Sequence, residues 1–392
     1  MYAFDLADRR ARLARRHRLA PGTKAPDVEA ATSALVGLHA TDPATIYLSA
    51  WARVEEMGTT DLDRALYVDR SLVKHLAMRR TLWVVPEGSL AVVQAGASAR
   101  VAETESRRLI REVEKAGLFE DGERWLNKAS AAVLEALSVG REATASELRA
   151  QIPLLEGRMV YGVGKPWGGE VPIGPRVLTV LSAQGRIVRA SNDGAWNLSR
   201  PRWASTESWL GHAIDEVDPV EAHAVLVGAW LRAFGPGTVQ DIKWWLGSTL
   251  GAVRSALVAV DAVEVDLHGQ PGYALPDDLG PVEPVEPWAA LLPGLDPTTM
   301  GWFDRDWYLG EHRGDLFDST GNGGATAWWD GRIVGGWHQR DEGTVQVRPL
   351  EKIDKQARRA LDEEAERLTA WLAGLRVTLR FPSPLSTSLT RR

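Results

Sequence analysis

The most informative stretch for the fold reads Val263-Glu264-Val265-Asp266-Leu267-His268-Gly269-Gln270-Pro271-Gly272-Tyr273-Ala274-Leu275. Its first five residues alternate apolar and polar side chains, which predicts a half-buried strand, and a glycine-containing turn leads into a second short strand. Three helices are predicted directly before it, at residues 222–234, 238–246 and 249–260. Three helices followed by a β-hairpin are the element order of a winged helix-turn-helix.

A similar unit precedes this one in the chain. Thr144 and Glu147 have the spacing of a capping box, which predicts a helix start, and residues 175–184 read as another helix. Two strand-like runs, 186–190 and 195–198, flank Asp193-Gly194, a strong hairpin signal. The two copies predict an α+β fold with tandem winged helix-turn-helix domains and a β-rich C-terminal domain.

Outward from these units, both ends of the chain show further elements. Helices are predicted at residues 27–40, from Asp42-Pro43 onward and at 61–77, followed by a strand at 81–85. After a proline-rich acidic linker at 276–297 come a hairpin turning at Asp330-Gly331, a strand at 344–348, a helix at 352–373 and a frayed end at 382–392. We therefore expect a first winged-helix domain at 1–127, a second at 128–210, a third at 211–279 and the β-rich domain at 280–392.

Composition and charge exclude several classes of protein. The 392 residues are 44% hydrophobic and 25% charged, ordinary values for a folded chain of several domains. The net charge is −6, so binding of nucleic acid requires a local basic surface. The absence of Cys excludes disulfides, thiolate nucleophiles and Cys-ligated metals. No apolar run reaches the roughly 20 residues of a membrane span, and no secretory signal is evident, so we expect a cytoplasmic protein without a membrane partner.

Basic residues that could contact DNA phosphates occur in three places. Residues 9–18 contain six Arg and predict a cationic helix, although a solvated surface helix has the same pattern. Other basic residues adjoin the first predicted strand or lie near the predicted recognition helices and wings, where surface or internal ion pairs are the alternative. The candidate contacts are Arg9, Arg10, Arg12, Arg15, Arg16, Arg79, Arg80, Arg186, Arg189 and Lys243.

Common enzymatic motifs are missing from this sequence. It has no phosphate-binding Gly-x-x-x-x-Gly-Lys-Ser/Thr loop, no Gly-x-Ser-x-Gly elbow and no His-Glu-x-x-His zinc motif. The eight His never adopt a metal-ligand spacing, so we expect no metal site.

One polar cluster, His39-Ala40-Thr41-Asp42, lies at the junction of two predicted helices. His39 follows Val28 by eleven residues, which places it near the same inward face of its predicted helix. An inward His beside an Asp favours a catalytic role. The alternative is structural: Asp42 before Pro43 is a helix N-cap, and His39 satisfies a helix C-terminus.

Several motifs together carry a family resemblance. The string Val36-Gly37-Leu38-His39-Ala40-Thr41-Asp42-Pro43, followed by Tyr47-Leu48-Ser49-Ala50-Trp51-Ala52-Arg53, resembles the signature of the winged-helix, crosslink-repair DNA glycosylases of the AlkZ/YcaQ type. Further similar segments span nearly the whole chain, at residues 78–83, 234–241, 244–245, 292–297 and 330–337.

The resemblance implies a concave arrangement of tandem winged helices on double-stranded DNA that carries alkylated bases. It implies a monofunctional DNA glycosylase that hydrolyses the N-glycosidic bond of alkylated or crosslinked purines, in DNA repair or genotoxin resistance. No metal or organic cofactor is needed for this reaction, and the protein is expected to be a nucleoid-associated monomer.

In the family a Gln, an apolar residue and then Gln or Asp hold the catalytic water, and the positions here are His39, Ala40 and Thr41. Neither flanking residue is the usual one. A neutral His39 would accept a proton from the water, Thr41 would orient it, and Asp42 would add negative potential under the sugar. A protonated His39 would oppose the developing cation, so activity is predicted to fall at acidic pH.

Two other functions fit the same sequence. One is a non-catalytic winged-helix DNA-binding protein or regulator, although no coiled-coil heptads for dimerisation are present. The other is a protein-interaction scaffold, consistent with the acidic net charge. DNA binding that weakens steeply with salt would separate a DNA-binding protein from a scaffold.

Overall fold

A computed structural model describes residues 1–138, 140–161, 169–378 and 380–390. Within these residues the α-helices are α1 (Leu6–Arg16), α2 (Val28–Ser33), α3 (Pro43–Trp51), α4 (Thr59–Asp63), α5 (Leu90–Val93), α6 (Ala99–Lys115), α7 (Gly122–Ala136), α8 (Ala145–Gln151), α9 (Gly174–Ala183), α10 (Thr206–Leu210), α11 (Pro219–Phe234), α12 (Val239–Leu246), α13 (Leu250–Ala259), α14 (Asp306–Leu309), α15 (Arg313–Leu316), α16 (Lys355–Leu372) and α17 (Pro384–Thr390). The strands are β1 (Tyr2–Ala3), β2 (Leu38–His39), β3 (Leu72–Ala77), β4 (Thr81–Pro86), β5 (Arg158–Tyr161), β6 (Gly169–Pro172), β7 (Ile187–Asn192), β8 (Pro201–Ser205), β9 (Val263–Leu267), β10 (Gln270–Ala274), β11 (Ala289–Leu292), β12 (Thr326–Trp329), β13 (Arg332–Gln339) and β14 (Val345–Pro349).

The described strands form small, mostly antiparallel sheets, and the predicted mixed α and β content is confirmed. The orders are β2-β4-β3, β1-β9-β10 and β11-β12-β13-β14, with two separate hairpins, β5-β6 and β7-β8. Only the β1–β9 pair is parallel among the described ladders. The sheet β2-β4-β3 is the one that carries the His39 motif.

The apolar core has one large part and two smaller ones. The large cluster extends from Leu13 to Leu372, so residues from both ends of the chain share one interior. A second cluster contains residues between Leu109 and Trp203, and a third surrounds Phe4 and Val265. No described helix is long and apolar enough to cross a bilayer.

The stretch around residues 222–275 folds as its pattern predicts. Helices α11, α12 and α13 follow one another, and β9 and β10 pair antiparallel, with Val265 opposite Gly272. Thr238 and Asp241 form a capping box at the start of α12. The predicted capping box of Thr144 and Glu147, the hairpin at Asp330-Gly331 and the N-cap Asp42 are also confirmed.

The predicted helix at 27–40 is wrong in its second half. Helix α2 ends at Ser33, Val36 has a φ of 64°, and Leu38 and His39 form strand β2 against Val84 and Trp83 of β4. A Cβ at Gly37 would lie 2.8 Å from the Val84 carbonyl oxygen, so only glycine permits this approach. Pairing with a distant strand outweighs the local helical pattern.

The predicted helix at 61–77 is wrong for a similar reason. Helix α4 ends at Asp63, a π-helical turn covers Arg64–Val68, and the rest is strand β3. Leu72 through Ala77 pair with β4 in a complete antiparallel ladder. The strand partner lies beyond a turn at Met78–Arg80, which no helical periodicity in residues 61–77 could indicate.

Two shorter predictions also need correction. Residues 195–198 are a loop, because β7 continues to Asn192 and β8 begins only at Pro201. The segment predicted as frayed contains α17, and Ser383 and Ser386 are buried with their hydroxyl groups 2.9 Å apart. Residues 391 and 392 lie outside the described residues.

Candidate active site

The His39 motif lies on an edge strand that runs into a capped helix. His39 is opposite Trp83 of β4, and Trp83 is opposite His75 of β3, so the three rings share one face of the sheet. The Ala40 N–H then donates to the Leu82 carbonyl (2.8 Å). The backbone pairing therefore positions the motif rigidly.

His39 has a buried, neutral imidazole. Its ring is 3% exposed and meets Trp83 edge to face, with 5.1 Å between the ring centroids. Nδ1 is buried without a hydrogen-bond partner among the described residues. Burial, together with the nearby positive charge of Arg79, lowers the pKa of His39 to about 3. The ring therefore stays neutral at physiological pH and retains an unpartnered polar atom.

Thr41 and Asp42 take different positions. The Leu82 N–H donates to Thr41 Oγ1 (3.3 Å), and Thr41 lines the same cavity as His39. Asp42 accepts from the N–H groups of Ala44 and Arg380, both at 3.1 Å. Burial raises the pKa of Asp42. His39 and Thr41 thus lie together, whereas the Asp42 carboxylate caps α3 and binds the C-terminal segment.

The cavity that His39 and Thr41 share has a volume of about 330 Å³. Its aromatic walls are Trp244, Phe303 and Phe381. Its charged lining among the described residues is Arg79, Arg305 and Arg313, with no carboxylate. A flat, partly apolar ring and nearby anionic groups fit such a lining better than an isolated cation does.

The side chains of Arg79 and Arg305 both stack on Trp244. Their guanidinium carbons lie 4.0 and 4.9 Å from the ring centroid. Burial, and then the neighbouring charge of Arg305, lowers the pKa of Arg79 to about 10, so Arg79 remains a cation. Arg79 has a φ of 55° in the turn between β3 and β4. This turn brings a predicted DNA-contacting residue into the cavity, whereas Arg80 beside it forms an ion pair with Glu105 (2.9 Å).

The arginines of α1 mostly make internal contacts. Arg12 is 2% exposed and forms an ion pair with Asp278 (2.6 Å), which Arg16 also contacts. Arg9 stacks on Trp307 (4.2 Å), and Arg10 donates to the Trp307 carbonyl (3.0 Å).

These contacts change the interpretation of α1. The prediction of a phosphate contact does not hold for Arg12, because a buried, paired guanidinium cannot reach DNA without breaking its pair. Arg15, which donates to the Glu283 carbonyl (3.0 Å), keeps about a third of its side chain exposed. The arginines of α1 therefore mainly bind this helix to the segment after β10.

The remaining basic candidates are scattered. Arg189 lies over Trp203 (5.4 Å), and burial lowers its pKa to about 10. Arg186 is exposed on β7's N-terminal side, and Lys243 is partly buried on α12. The structure does not bring these three residues into the cavity with His39.

A buried ion pair connects α3 to the C-terminal part of the chain. Arg53 and Asp296 have fully buried side chains and form two hydrogen bonds of 2.7 and 2.9 Å. Ser49 of α3 also donates to Asp296 (2.6 Å), and Thr45 donates to the Gly294 carbonyl (2.8 Å). These contacts hold residues 294–300, including two cavity residues, Leu295 and Met300, against the helix that follows the motif.

Sequence reasoning missed Phe303, Arg305, Arg313 and Phe381 as cavity residues. They lie more than 250 residues from His39 along the chain, so no local spacing connects them. The segment 292–297 carries a signal in the sequence, because it is one of the motifs of the family resemblance, and it contacts α3. Among the described residues no group of three His, Asp or Glu side chains has a metal-binding arrangement.

Known proteins are similar to this chain in sequence and in fold. A family model described as "DNA glycosylase AlkZ-like" matches residues 32–371. A curated protein of Streptomyces sahachiroi, named interstrand DNA cross-link repair glycosylase, is 26% identical over 157 residues, which cover 38% of this chain and 42% of that protein. The aligned part is thus less than half of that relative's length. The solved structure of the Streptomyces sahachiroi DNA glycosylase AlkZ is similar with a TM-score of 0.75 at 20% identity, covering 97% of this chain and 100% of that chain.

Proposed function

The chain belongs to the AlkZ-like DNA glycosylase family, and from this premise we propose that it hydrolyses the N-glycosidic bond of alkylated or crosslinked purines in double-stranded DNA. The observation that carries the proposal is the shared cavity of His39 and Thr41, which occupy the flanking positions of the family's catalytic motif. A cavity of about 330 Å³ with three aromatic walls suits one extrahelical purine.

The reaction requires little help from a general base. Alkylation at a purine nitrogen makes the base a cationic leaving group, so the bond to the sugar breaks with the electron pair going to the base. Water then adds to the oxocarbenium-like carbon and becomes strongly acidic as the new C–O bond forms. His39, with a pKa of about 3, is a weak base, yet it accepts a hydrogen bond and finally a proton from such a water. Thr41 orients the water from the other side of the motif.

The three cavity arginines require anionic partners in this mechanism. Unpaired, Arg79, Arg305 and Arg313 would raise the energy of a developing cation. Phosphates of the bound strand that flank the damaged nucleotide would pair with the accessible guanidinium groups and remove this opposition. Arg313 is the exposed member of the three. DNA would thus complete the electrostatics of the site.

The helix-helix-helix-hairpin order of α11, α12, α13, β9 and β10 supports the finer proposal of winged-helix domains. The separate apolar cluster at residues 109–203 supports a second unit near the predicted range 128–210. The large cluster is shared by the ranges 1–127, 211–279 and 280–392 and also contains Val188, Ala190, Ala204 and Trp209 of the second range, so all four boundaries stay predictions. Monomeric state, cytoplasmic location and nucleoid association also stay predictions.

The decisive experiment measures abasic sites in duplex DNA with a defined N7-alkylguanine, under single-turnover conditions. We expect His39→Ala to reduce excision at least about tenfold while DNA binding is retained. His212→Ala is the matched control, because His212 is exposed and pairs with Glu87 (3.2 Å) away from the cavity. Equal excision by wild type and His39→Ala would overturn the assigned role of His39.

A second candidate function is non-catalytic binding of damaged DNA. The observation that favours it is the cationic lining without a carboxylate, which suits phosphate binding better than cation stabilisation. Salt-sensitive binding without excision of several adducts would support this function instead.

A further inference from the structure

Phe303 is unusual among the apolar residues near the cavity. Its side chain is 49% exposed, whereas Trp302 before it and Arg305 two residues later are buried. Phe303 also lines the cavity that contains His39 and Thr41. A residue that both lines a cavity and meets solvent lies at its mouth. In the described part of the chain, Phe303 is the one aromatic among the large apolar side chains that are exposed.

The backbone that presents Phe303 is firmly held. Asp241 of α12 is buried, and its Oδ1 accepts from the N–H groups of Phe303 (2.9 Å) and Asp304 (3.0 Å). Its Oδ2 accepts from the Thr238 N–H (2.9 Å) and hydroxyl (2.8 Å). The Arg305 guanidinium donates to the Trp302 carbonyl (2.7 Å). The exposure of Phe303 is thus imposed by ordered contacts on both sides of it.

The ring also has a rigid support. Trp244 lies 6.5 Å from Phe303 between ring centroids, at an interplanar angle of 60°. Trp244 is itself stacked by Arg79 and Arg305. Removing an exposed apolar ring from water is favourable, so the ring of Phe303 gains free energy when another flat apolar surface covers it. The bases of DNA offer such a surface, and apolar side chains inserted between base steps unstack them.

We propose that Phe303 enters the base stack of bound duplex DNA beside the damaged nucleotide and holds that nucleotide out of the helix, towards His39. The inference rests on the proposed function. Phe303 acts in this scheme as a positioning residue. It makes no contact with the reacting bond, and its contribution is to replace the stacking that the extruded base loses.

The first test detects unstacking without requiring excision. A duplex carries 2-aminopurine next to an N7-alkylguanine, and its fluorescence rises when the fluorescent base loses its stacking partner. We expect wild type to raise the fluorescence on binding and Phe303→Ala to leave it near the value of free duplex, with binding weakened by no more than about tenfold. Phe303→Leu, which keeps an apolar wedge, should restore at least half of the rise.

The second test compares excision from two substrates. Phe303→Ala should lower single-turnover excision from duplex DNA at least about tenfold. On the same adduct in a single strand, where no stack on the opposite strand has to be opened, the change should be less than about twofold. A general folding defect would lower both rates equally. Val220→Ala, which truncates an exposed apolar side chain on α11, is the matched control and should change neither rate.

The outcomes separate the two proposals. A rise in fluorescence without abasic sites would refute the glycosylase activity and leave the wedge role supported. Excision by wild type with equal duplex rates for Phe303→Ala would overturn the wedge role and leave the glycosylase intact. A wild-type protein that binds without changing the fluorescence, or that does not bind the duplex, would also overturn the wedge role.

Discussion

The imidazole of His39 stays neutral because the protein interior excludes the water that would solvate its cation and because the positive charge of Arg79 is nearby. The same environment leaves Nδ1 without a partner among the described residues. A buried polar atom without a hydrogen bond costs free energy, and a cavity beside it offers room for a water or a ligand that satisfies it. If His39 has the role proposed above, the binding of a nucleophilic water compensates part of this cost.

The pH dependence of excision follows from this environment. Because the pKa of His39 in the free protein is lowered to about 3, protonation should not reduce the second-order excision rate between pH 8 and about 5. The loss of activity in acid that the sequence predicts is therefore expected only below pH 4. Single-turnover rates at subsaturating protein, measured across this range, provide the check. A midpoint near 6.5, the ordinary value for histidine, would contradict the buried neutral ring.

Stability should fall in acid as activity does, but at higher pH, with the loss beginning already near neutrality. His39 and His75 have pKa values lowered to about 3 and about 4 by burial. The unfolded chain binds protons at these residues below pH 6.5 and the native chain does not, so the free energy of unfolding falls as pH falls. Each histidine should cost roughly 2 kcal/mol at pH 5 relative to pH 7.5. Urea unfolding at both pH values tests this, and His75→Gln should reduce the difference.

Helix α12 shows how one capped element organises a distant loop. Its N3 residue, Asp241, closes a capping box with Thr238 and also binds the backbone of Phe303 and Asp304. The helix carries Trp244 one turn later, on which Arg79 and Arg305 stack. A single short helix therefore fixes the mouth and one wall of the cavity.

Removing the Asp241 carboxylate should be costly. Asp241→Ala leaves the N–H groups of Thr238, Phe303 and Asp304 without their acceptor, so we expect a loss of at least about 3 kcal/mol in the free energy of unfolding. Thr249→Ala, which removes the exposed N-cap of α13, should cost only about 1 kcal/mol. Urea titrations followed by tryptophan fluorescence compare the two. Similar losses would mean that Asp241 serves only as a cap.

Across the whole molecule, the Arg53–Asp296 pair joins the N-terminal motif helix to the C-terminal sheet. Both side chains are fully buried, and among the described residues their charges are compensated by each other, by Ser49 and by Thr298. The large apolar cluster spans the same parts of the chain. The cavity exists because these two regions remain docked.

Breaking this pair should destabilise the whole protein. Asp296→Ala leaves a buried, unpaired guanidinium, and we expect a loss of about 3–5 kcal/mol. Glu363→Ala, which breaks the exposed Arg359–Glu363 pair, should leave the free energy of unfolding nearly unchanged. Thermal or urea unfolding gives both values. A loss below 1 kcal/mol for Asp296→Ala would show that docking does not depend on the pair.

The local sequence pattern is sufficient to predict the elements that are stabilised by contacts between residues close together in the chain. Helices α11 to α13, the hairpin β9-β10, the N-cap Asp42 and the turn at Asp330-Gly331 follow from periodicity, capping and turn residues a few positions apart. The family motifs likewise identified His39 and Thr41 as a pair. Strands β2 and β3 are not predicted from the sequence, because their partner, β4, lies outside the short segments whose periodicity predicts a helix.

The cavity depended on contacts between residues far apart in the chain. Phe303 and Arg305 lie near His39 because Asp241 of α12 holds the backbone of their segment, and Phe381 does so because Asp42 binds the backbone of Arg380 beside it. The protonation of His39 and the burial of Arg12 likewise follow from what surrounds them in space, since desolvation and charge pairing act over distance and not along the sequence. Helix caps, turns and apolar periodicity are determined by neighbouring residues. The site and its electrostatics instead arise when segments that are distant in the sequence pack together and exclude water.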